Sequence, residues 1–328
     1  MTLAPTGEIR LHDTEGPASD AVAALTARVR ERFGDSTVAV LFYGSVLRDR
    51  LEVEDGLLDL IAIVDGYGKA YGGWVLPLLN LALAPNVFYL ETDVDTEAPD
   101  PDAEEGHGSH RARAKYATIS LSHLRHKTGP RCLQSYFWGR LAQPVVVAYT
   151  RDAEAQRAVD EVLARAITTF ATCSSKRLTG TFDAERLWSE GLAACYRTEF
   201  RPEQARRAQD LTESGLTRYR AVCDAVARKL AWTRVPGHEV PHYTTPTSAL
   251  RRGWSHTAWW ARRVQGRTLH VLRLMKAAFT FRGGLEYLLW KIERHSGVKV
   301  DVSERTRRHP LIFGWWTLWR VRRKGGFR

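Results

Sequence analysis

The chain has 328 residues, 44 % of them hydrophobic, and carries 48 Lys and Arg against 37 Asp and Glu, a formal net charge of +11. That much apolar material at this length fills one large core or two ordinary ones, which excludes a disordered or fibrous protein. No stretch approaches the roughly 20 apolar residues that a membrane-spanning helix needs. Cys132, Cys173, Cys195 and Cys223 are widely spaced, with no CxxC pair, so reduced and mostly buried thiols of an intracellular protein are expected. The opening segment MTLAPTGEIRLHDTEG has no basic region followed by an apolar run, so neither a secretory signal nor a transit peptide is expected.

In chain order, Ser19 can cap a helix whose Val22, Leu25, Val29 and Phe33 share one face. Val38 to Tyr43 is a nearly continuous apolar run of the kind buried strands show, and Gly44 breaks it. A glycine there lets the backbone turn sharply and approach a phosphate, while Ser45 can open a helix and offer its N–H and hydroxyl to an anion. The next run, LLDLIAIVD, is a second strand with Asp59 at its head. From there the carboxylate can face the Gly44–Ser45 turn and hold Mg²⁺ against the same phosphates.

GYGKAYGG follows, a flexible connector or a loop whose Lys69 touches a triphosphate. Asn86 to Glu91 reads as a third strand and DVDTEAPDPDAEEGHGSH as an exposed acidic loop. Lys115 and Tyr116 open a further strand, and Arg140 follows the aromatic helix in SYFWGRL, where a fixed guanidinium suits bidentate phosphate binding or simply ends a helix. His107, His110, His123 and His126 lack a metal-binding spacing.

Residues 152 to 232 read as helical, with apolar stripes Val159–Val162–Leu163–Ala166–Ile167–Phe170, Leu187–Trp188–Leu192–Cys195–Tyr196 and Leu211–Leu216–Tyr219–Val222–Val226–Leu230. From Pro236 onward there are 19 basic residues against 5 acidic ones, and 7 of the 11 tryptophans, so the positive charge belongs to the tail. Three amphipathic helical pieces are expected there. Val264, Val271, Met275 and Phe279 share the face of the first, and the last joins Trp315, Trp316 and Trp319 to Arg320, Arg322, Arg323 and Lys324. Trp beside Arg suits a membrane interface, ring among the headgroups and cation at the lipid phosphate. Nucleic acid favours the same residue types and is the second choice of partner.

Gly44-Ser45, thirteen intervening residues and Asp59 together resemble the glycine-serine and aspartate motif of the nucleotidyltransferase superfamily. In that superfamily a second carboxylate usually stands two positions after the first; here that position is Ile61, which leaves Asp55, Asp65, Glu91 and Asp93 as candidates, with Asp65 taken as the second metal ligand. YGS, LLDLIAIVD and KYATISLSHLRHKTGPRCLQSYFWGRLAQPV, in this order, resemble the mitochondrial-type phosphatidate cytidylyltransferases, peripheral CDP-diacylglycerol synthases. The resemblance covers about residues 36 to 150 well, 160 to 232 loosely, and thins after 236.

It implies a mixed α/β (α+β) fold: a nucleotidyltransferase-like sheet domain over residues 1 to 150, a helical, winged-helix-like domain over 151 to 235, and a basic Trp-rich tail over 236 to 328. It also implies catalysis by Ser45, Asp59 and Lys115, nucleotide contacts from Tyr43, Gly44, Ser45, Lys69, Lys115 and Tyr116, and phosphatidate contacts from Arg140, Tyr196, Arg197 and Arg201. The expected reaction joins CTP to phosphatidic acid with Mg²⁺, on the cytoplasmic face of an anionic membrane. A nucleotidyltransferase acting on RNA, or an inactive membrane-binding relative, stays open.

Overall fold

The computed structural model describes residues 9–10, 17–44, 57–96, 108–199 and 204–280. Helix α1 (Pro17–Phe33) leads into strand β2 (Thr37–Tyr43), which pairs antiparallel with β3 (Leu57–Val64). Strands β4 (Asn86–Thr96) and β5 (Gly108–Ser120) form a long antiparallel pair, and β5 joins β3 in parallel. β6 (Val146–Thr150) flanks β2, and the two residues of β1 (Ile9–Arg10) add to its outer edge, giving a mixed six-stranded sheet in the order β1-β6-β2-β3-β5-β4. The acidic segment expected as a loop is therefore partly strand: pairing runs to Thr96↔Gly108.

β2 and β3 read as unbroken apolar runs because both of their faces are covered. On one face Val40, Phe42, Leu58, Leu60 and Ala62 pack with Val22, Leu25, Val29 and Phe33 of α1. On the other, Leu41, Ile61 and Ile63 pack under a helical layer. The layer begins with α4 (Leu121–Lys127) and α5 (Tyr136–Leu141), after the short helices α2 (Tyr67–Ala70) and α3 (Val75–Ala82). It continues through α6 (Ala153–Ser175), α7 (Ala184–Tyr196), α8 (Gln204–Ser214) and α9 (Leu216–Lys229). Asp152 caps α6 by accepting from Ala155 N at 2.7 Å, and Asp183 caps α7 by accepting from Arg186 N at 2.9 Å. A small hairpin, β7 (Thr233–Val235) with β8 (His242–Thr244), follows. One buried cluster runs from Val38 through α6, α7 and α9 to Trp259, so sheet and helices share a core across residue 150. Cys132, Cys173, Cys195 and Cys223 are free and buried.

The chain's described part ends in α10 (Ala249–Thr280), a continuous 32-residue helix. Its inward face is not the expected apolar stripe. Ser255, Trp259, Arg262 and Lys276 are buried, whereas Val264 is exposed and Val271 and Met275 are half-buried. Ser255, Trp259 and Arg262 recur every three or four residues, as one helical face must, and Lys276 returns to that face about four turns later, so long basic side chains occupy much of it and lend their aliphatic stems to packing. Near the end of α10, Arg273 Nε donates to the Ala84 carbonyl at 2.8 Å, and Lys276 Nζ donates to those of Leu83 and Pro85 at 2.5 and 2.7 Å. These contacts clasp the helix to the loop before β4.

Burial, with Arg273 adding to it, pushes the Lys276 ammonium down to about 7. In the unfolded chain a lysine titrates near 10.4, so between about pH 7 and 10 the unfolded state holds the extra proton and stability rises with pH. Below pH 7 both states are protonated and the dependence vanishes. Melting curves over this range should show the wild type gaining on Lys276→Met as pH rises; a constant difference would mean that the ammonium is not desolvated.

Candidate functional site

Adjacent strands place Tyr43, Asp59, Lys115 and Tyr89 in one row, because Tyr43 pairs with Asp59, Asp59 with Lys115, and Lys115 with Tyr89. Residues directly opposite across a sheet point to the same face. This is the face on which Ile61 and Ile63 lie under the helices, so the row stands where that cover stops and β4 and β5 run on. Asp59 Oδ1 receives Lys115 Nζ at 3.1 Å, with side-chain exposures of 18 % and 45 %. With Lys115 nearly half exposed, the pair contributes only about 1 kcal/mol to stability.

Gly44 ends β2 at φ +112°, and a Cβ there would stand 2.8 Å from Asp59 Oδ2 and 3.0 Å from Asp59 Cβ. Both the backbone conformation and the close approach require glycine. Gly44→Ala is expected to destabilise by roughly 1–3 kcal/mol and to displace the carboxylate. Urea denaturation with crystallography of the variant checks this; an unmoved Asp59 and unchanged midpoint would contradict it.

Of the expected nucleotide site, Tyr43, Gly44, Asp59 and Lys115 thus come together, while Ser45 lies outside the described residues. Tyr116 does not join them. Side chains alternate along a strand, so the neighbour of Lys115 points to the opposite face, where Tyr116 is buried, receives Arg32 Nη1 at 2.6 Å, and has its phenol pushed up to about 12 by burial. Lys69 and Asp65 are also displaced. Both follow the far end of β3, and Asp65 stands some six residues, roughly 20 Å, along the chain from Asp59. Asp65 instead accepts from Arg151 Nη1 at 2.7 Å, so it cannot complete a metal site with Asp59.

Glu91 and Asp93 lie on β4 opposite Arg113 and Arg111, with Asp93 Oδ1 accepting from Arg111 Nε at 3.1 Å, two strands away from Asp59. Asp55 is outside the described residues. Among the described residues no group of three His, Cys, Asp or Glu could hold a metal. Among the described residues Asp59 is the one carboxylate placed beside the Gly44 turn. That set suits Mg²⁺, which commonly takes one or two carboxylates and fills its remaining positions with phosphate oxygens and water. His123, at the other end of the sheet, is held down to about 4 by burial and by Lys127 and His126, and meets Tyr67 Oη at 2.8 Å.

Arg140, expected to bind phosphate, is committed internally. It is buried and donates in a fork to Glu199 at 2.7 and 2.9 Å and to the Tyr136 carbonyl at 3.0 Å, while its Cζ stacks 3.8 Å from the Tyr136 ring centroid. Burial alone would lower its pKa, but Glu199 and Tyr136 raise it well above the ordinary range. The pair fastens α5 to the segment after α7. Tyr196 ends α7 half-buried and Arg197 caps that helix; Arg201 and the Trp315 to Lys324 segment lie outside the described residues.

Sequence reasoning missed Arg273, which reaches from α10 to lie 4.6 Å over the Tyr136 ring. No local signal marks it among the many basic residues of the tail. Comparison of the chain with protein-family models and with curated proteins finds no match.

Proposed function

We propose that the chain is a Mg²⁺-dependent nucleotidyltransferase of the phosphatidate cytidylyltransferase type, working at an anionic membrane surface and making CDP-diacylglycerol and pyrophosphate from CTP and phosphatidic acid. The observation that carries this reading is the contact of Gly44 with Asp59, beside Lys115. It joins a glycine turn to a carboxylate and a cation on one sheet face. The nucleotidyltransferase-like reading of the sheet and the winged-helix-like reading of α6 to α9 with the β7–β8 hairpin belong to the same proposal.

In this reading Lys115 leaves Asp59 for the triphosphate when the nucleotide enters, and Asp59 is freed to hold the metal. Bound Mg²⁺ supplies positive charge to the α-phosphate and the departing pyrophosphate. A phosphate oxygen of phosphatidic acid forms the new bond to the α-phosphorus as the bond to the β-phosphate oxygen breaks. The nucleophile is already largely ionised at neutral pH, its second pKa being about 6, so no general base is needed and a single-acid strand suffices. Positioning by Gly44, Asp59 and Lys115 is then the protein's main contribution.

The membrane part of the proposal is supported by α10, whose Leu250, Trp254, Trp260 and Val264 are exposed among the exposed Arg251, Arg263 and Arg267. No helix among the described residues is long and apolar enough to cross a membrane.

The test is incubation of the purified chain with α-labelled CTP, Mg²⁺ and, separately, phosphatidic acid vesicles, lysophosphatidic acid and RNA. Labelled CDP-diacylglycerol is the expected product. Label on RNA alone would replace this reading with RNA nucleotidyl transfer, and vesicle binding without any transfer would leave a membrane-binding relative without activity.

A further inference from the structure

Two guanidinium groups from separate parts of the helical layer, those of Arg177 and Arg262, flank Trp259, and a third, that of Arg197, stands near enough to Arg177 to act on its charge. Arg177 follows α6, Arg197 caps the C-terminus of α7, and Arg262 lies three residues after Trp259 in α10. The Cζ atoms of Arg177 and Arg262 stand 5.2 and 5.3 Å from the centroid of the Trp259 ring. After burial itself, Arg197 is the largest influence lowering the Arg177 pKa, and Arg263 acts in the same sense, while Glu190 and Cys195 act against them.

Gly266, one turn beyond Arg262, permits this crowding: a Cβ there would lie 2.6 Å from the carbonyl oxygen of Thr198, so α10 crosses directly against the residue after Arg197. Arg262 is only 7 % exposed, while Arg177 and Arg197 are half-buried and leave the cluster reachable from solvent.

The Nε groups of these cations lack acceptors. The Nε atoms of Arg177, Arg197 and Arg262 are all buried without a hydrogen-bond partner, and Arg262 Nη2 meets the Cys173 sulfur at 3.5 Å. None of the three forms an ion pair among the described residues, in contrast to the fully matched Arg140–Glu199 pair nearby. The ends of α6 and α7 each present a partial negative charge here, which offsets only part of three whole positive ones. Cations held together in this way are costly unless an anion supplies the acceptors. Guanidinium forks match the oxygens of a phosphate, and an indole ring beside them keeps the site partly dry.

We propose that Arg177, Arg197 and Arg262 form a binding site for a phosphate group, separate from the Asp59–Lys115 row. The ligand class is a phosphate monoester or inorganic phosphate, and the site stands whether or not the sheet transfers nucleotides.

Calorimetric titration of the full chain with inorganic phosphate, in chloride buffer of matched ionic strength, tests it. A parallel titration uses dihexanoyl phosphatidic acid below its micelle concentration. Saturable binding is expected, weakened at least about tenfold, 1.4 kcal/mol, by Arg177→Gln and by Arg197→Gln, with CTP–Mg²⁺ binding unchanged. Tighter binding of the lipid than of the free ion would identify a headgroup as the source; equal binding would identify a free phosphate.

Thermal melting adds a second readout. Without phosphate both variants should melt at or above the wild type, because each removes an uncompensated charge, and phosphate should raise the wild type alone. No saturable phosphate binding beyond the chloride control, or binding retained in both variants, would overturn the site. So would lower melting of both variants in phosphate-free buffer, which would make the arginines structural.

Discussion

Replacing Asp59 by Asn is expected to preserve the fold while lowering nucleotidyl transfer about a thousandfold or more, roughly 4 kcal/mol of lost transition-state stabilisation. The amide keeps the shape that packs against Gly44 but gives up the charge that answers Lys115 and that, in the proposed reaction, would hold a divalent cation. Stability should change by only about 1 kcal/mol, since Lys115, the partner of Asp59, is nearly half exposed. Single-turnover assays with labelled CTP, beside urea denaturation of the same preparation, separate the two effects. Activity within about tenfold of wild type would remove Asp59 from the chemistry.

A loss of comparable size, in stability, is expected at Glu199. Glu199→Ala leaves the Arg140 guanidinium buried with its charge unmatched, and breaking a buried pair in this way costs about 3–5 kcal/mol. The double replacement Arg140→Met with Glu199→Leu should recover most of that loss, because it removes both charges and refills the volume. Denaturation midpoints for the single and double variants decide the matter. A double variant no better than the single one would mean that the pair contributes geometry an apolar filling cannot supply.

What the sequence disclosed about this molecule followed from regular spacing. The stripe from Val159 to Phe170 is buried along α6, and Leu187, Trp188, Leu192 and Cys195 are buried along α7, because helical periodicity directly encodes which face is covered. The unbroken apolar runs of β2 and β3 likewise announced strands covered on both faces, which set Gly44 and Asp59 at neighbouring strand ends.

The failures arose where a residue's role depends on distant chain. Arg140 resembles a ligand-binding cation until Glu199 arrives from 59 positions away. The resemblance groups Lys115 with Tyr116, although strand alternation sends neighbours to opposite faces. In α10 the apolar stripe was a misleading guide, since the docked face is held by basic side chains reaching backbone carbonyls whose positions no local pattern reveals.

The clasp at the end of α10 bears on the order in which the chain acquires its structure. Its hydrogen bonds join residues 189 to 193 positions apart, among the longest closures in the fold, and an entropic cost that grows with the enclosed length places such contacts late. During synthesis the sheet and most of the helical layer can therefore assemble before Arg273 and Lys276 emerge. At 5–20 residues per second, about the pace of a ribosome, β4 and its preceding loop wait roughly 10 to 40 seconds for their partner. Pulse-labelling hydrogen exchange during refolding would see this as protection of the β2 and β3 amides ahead of those in α10.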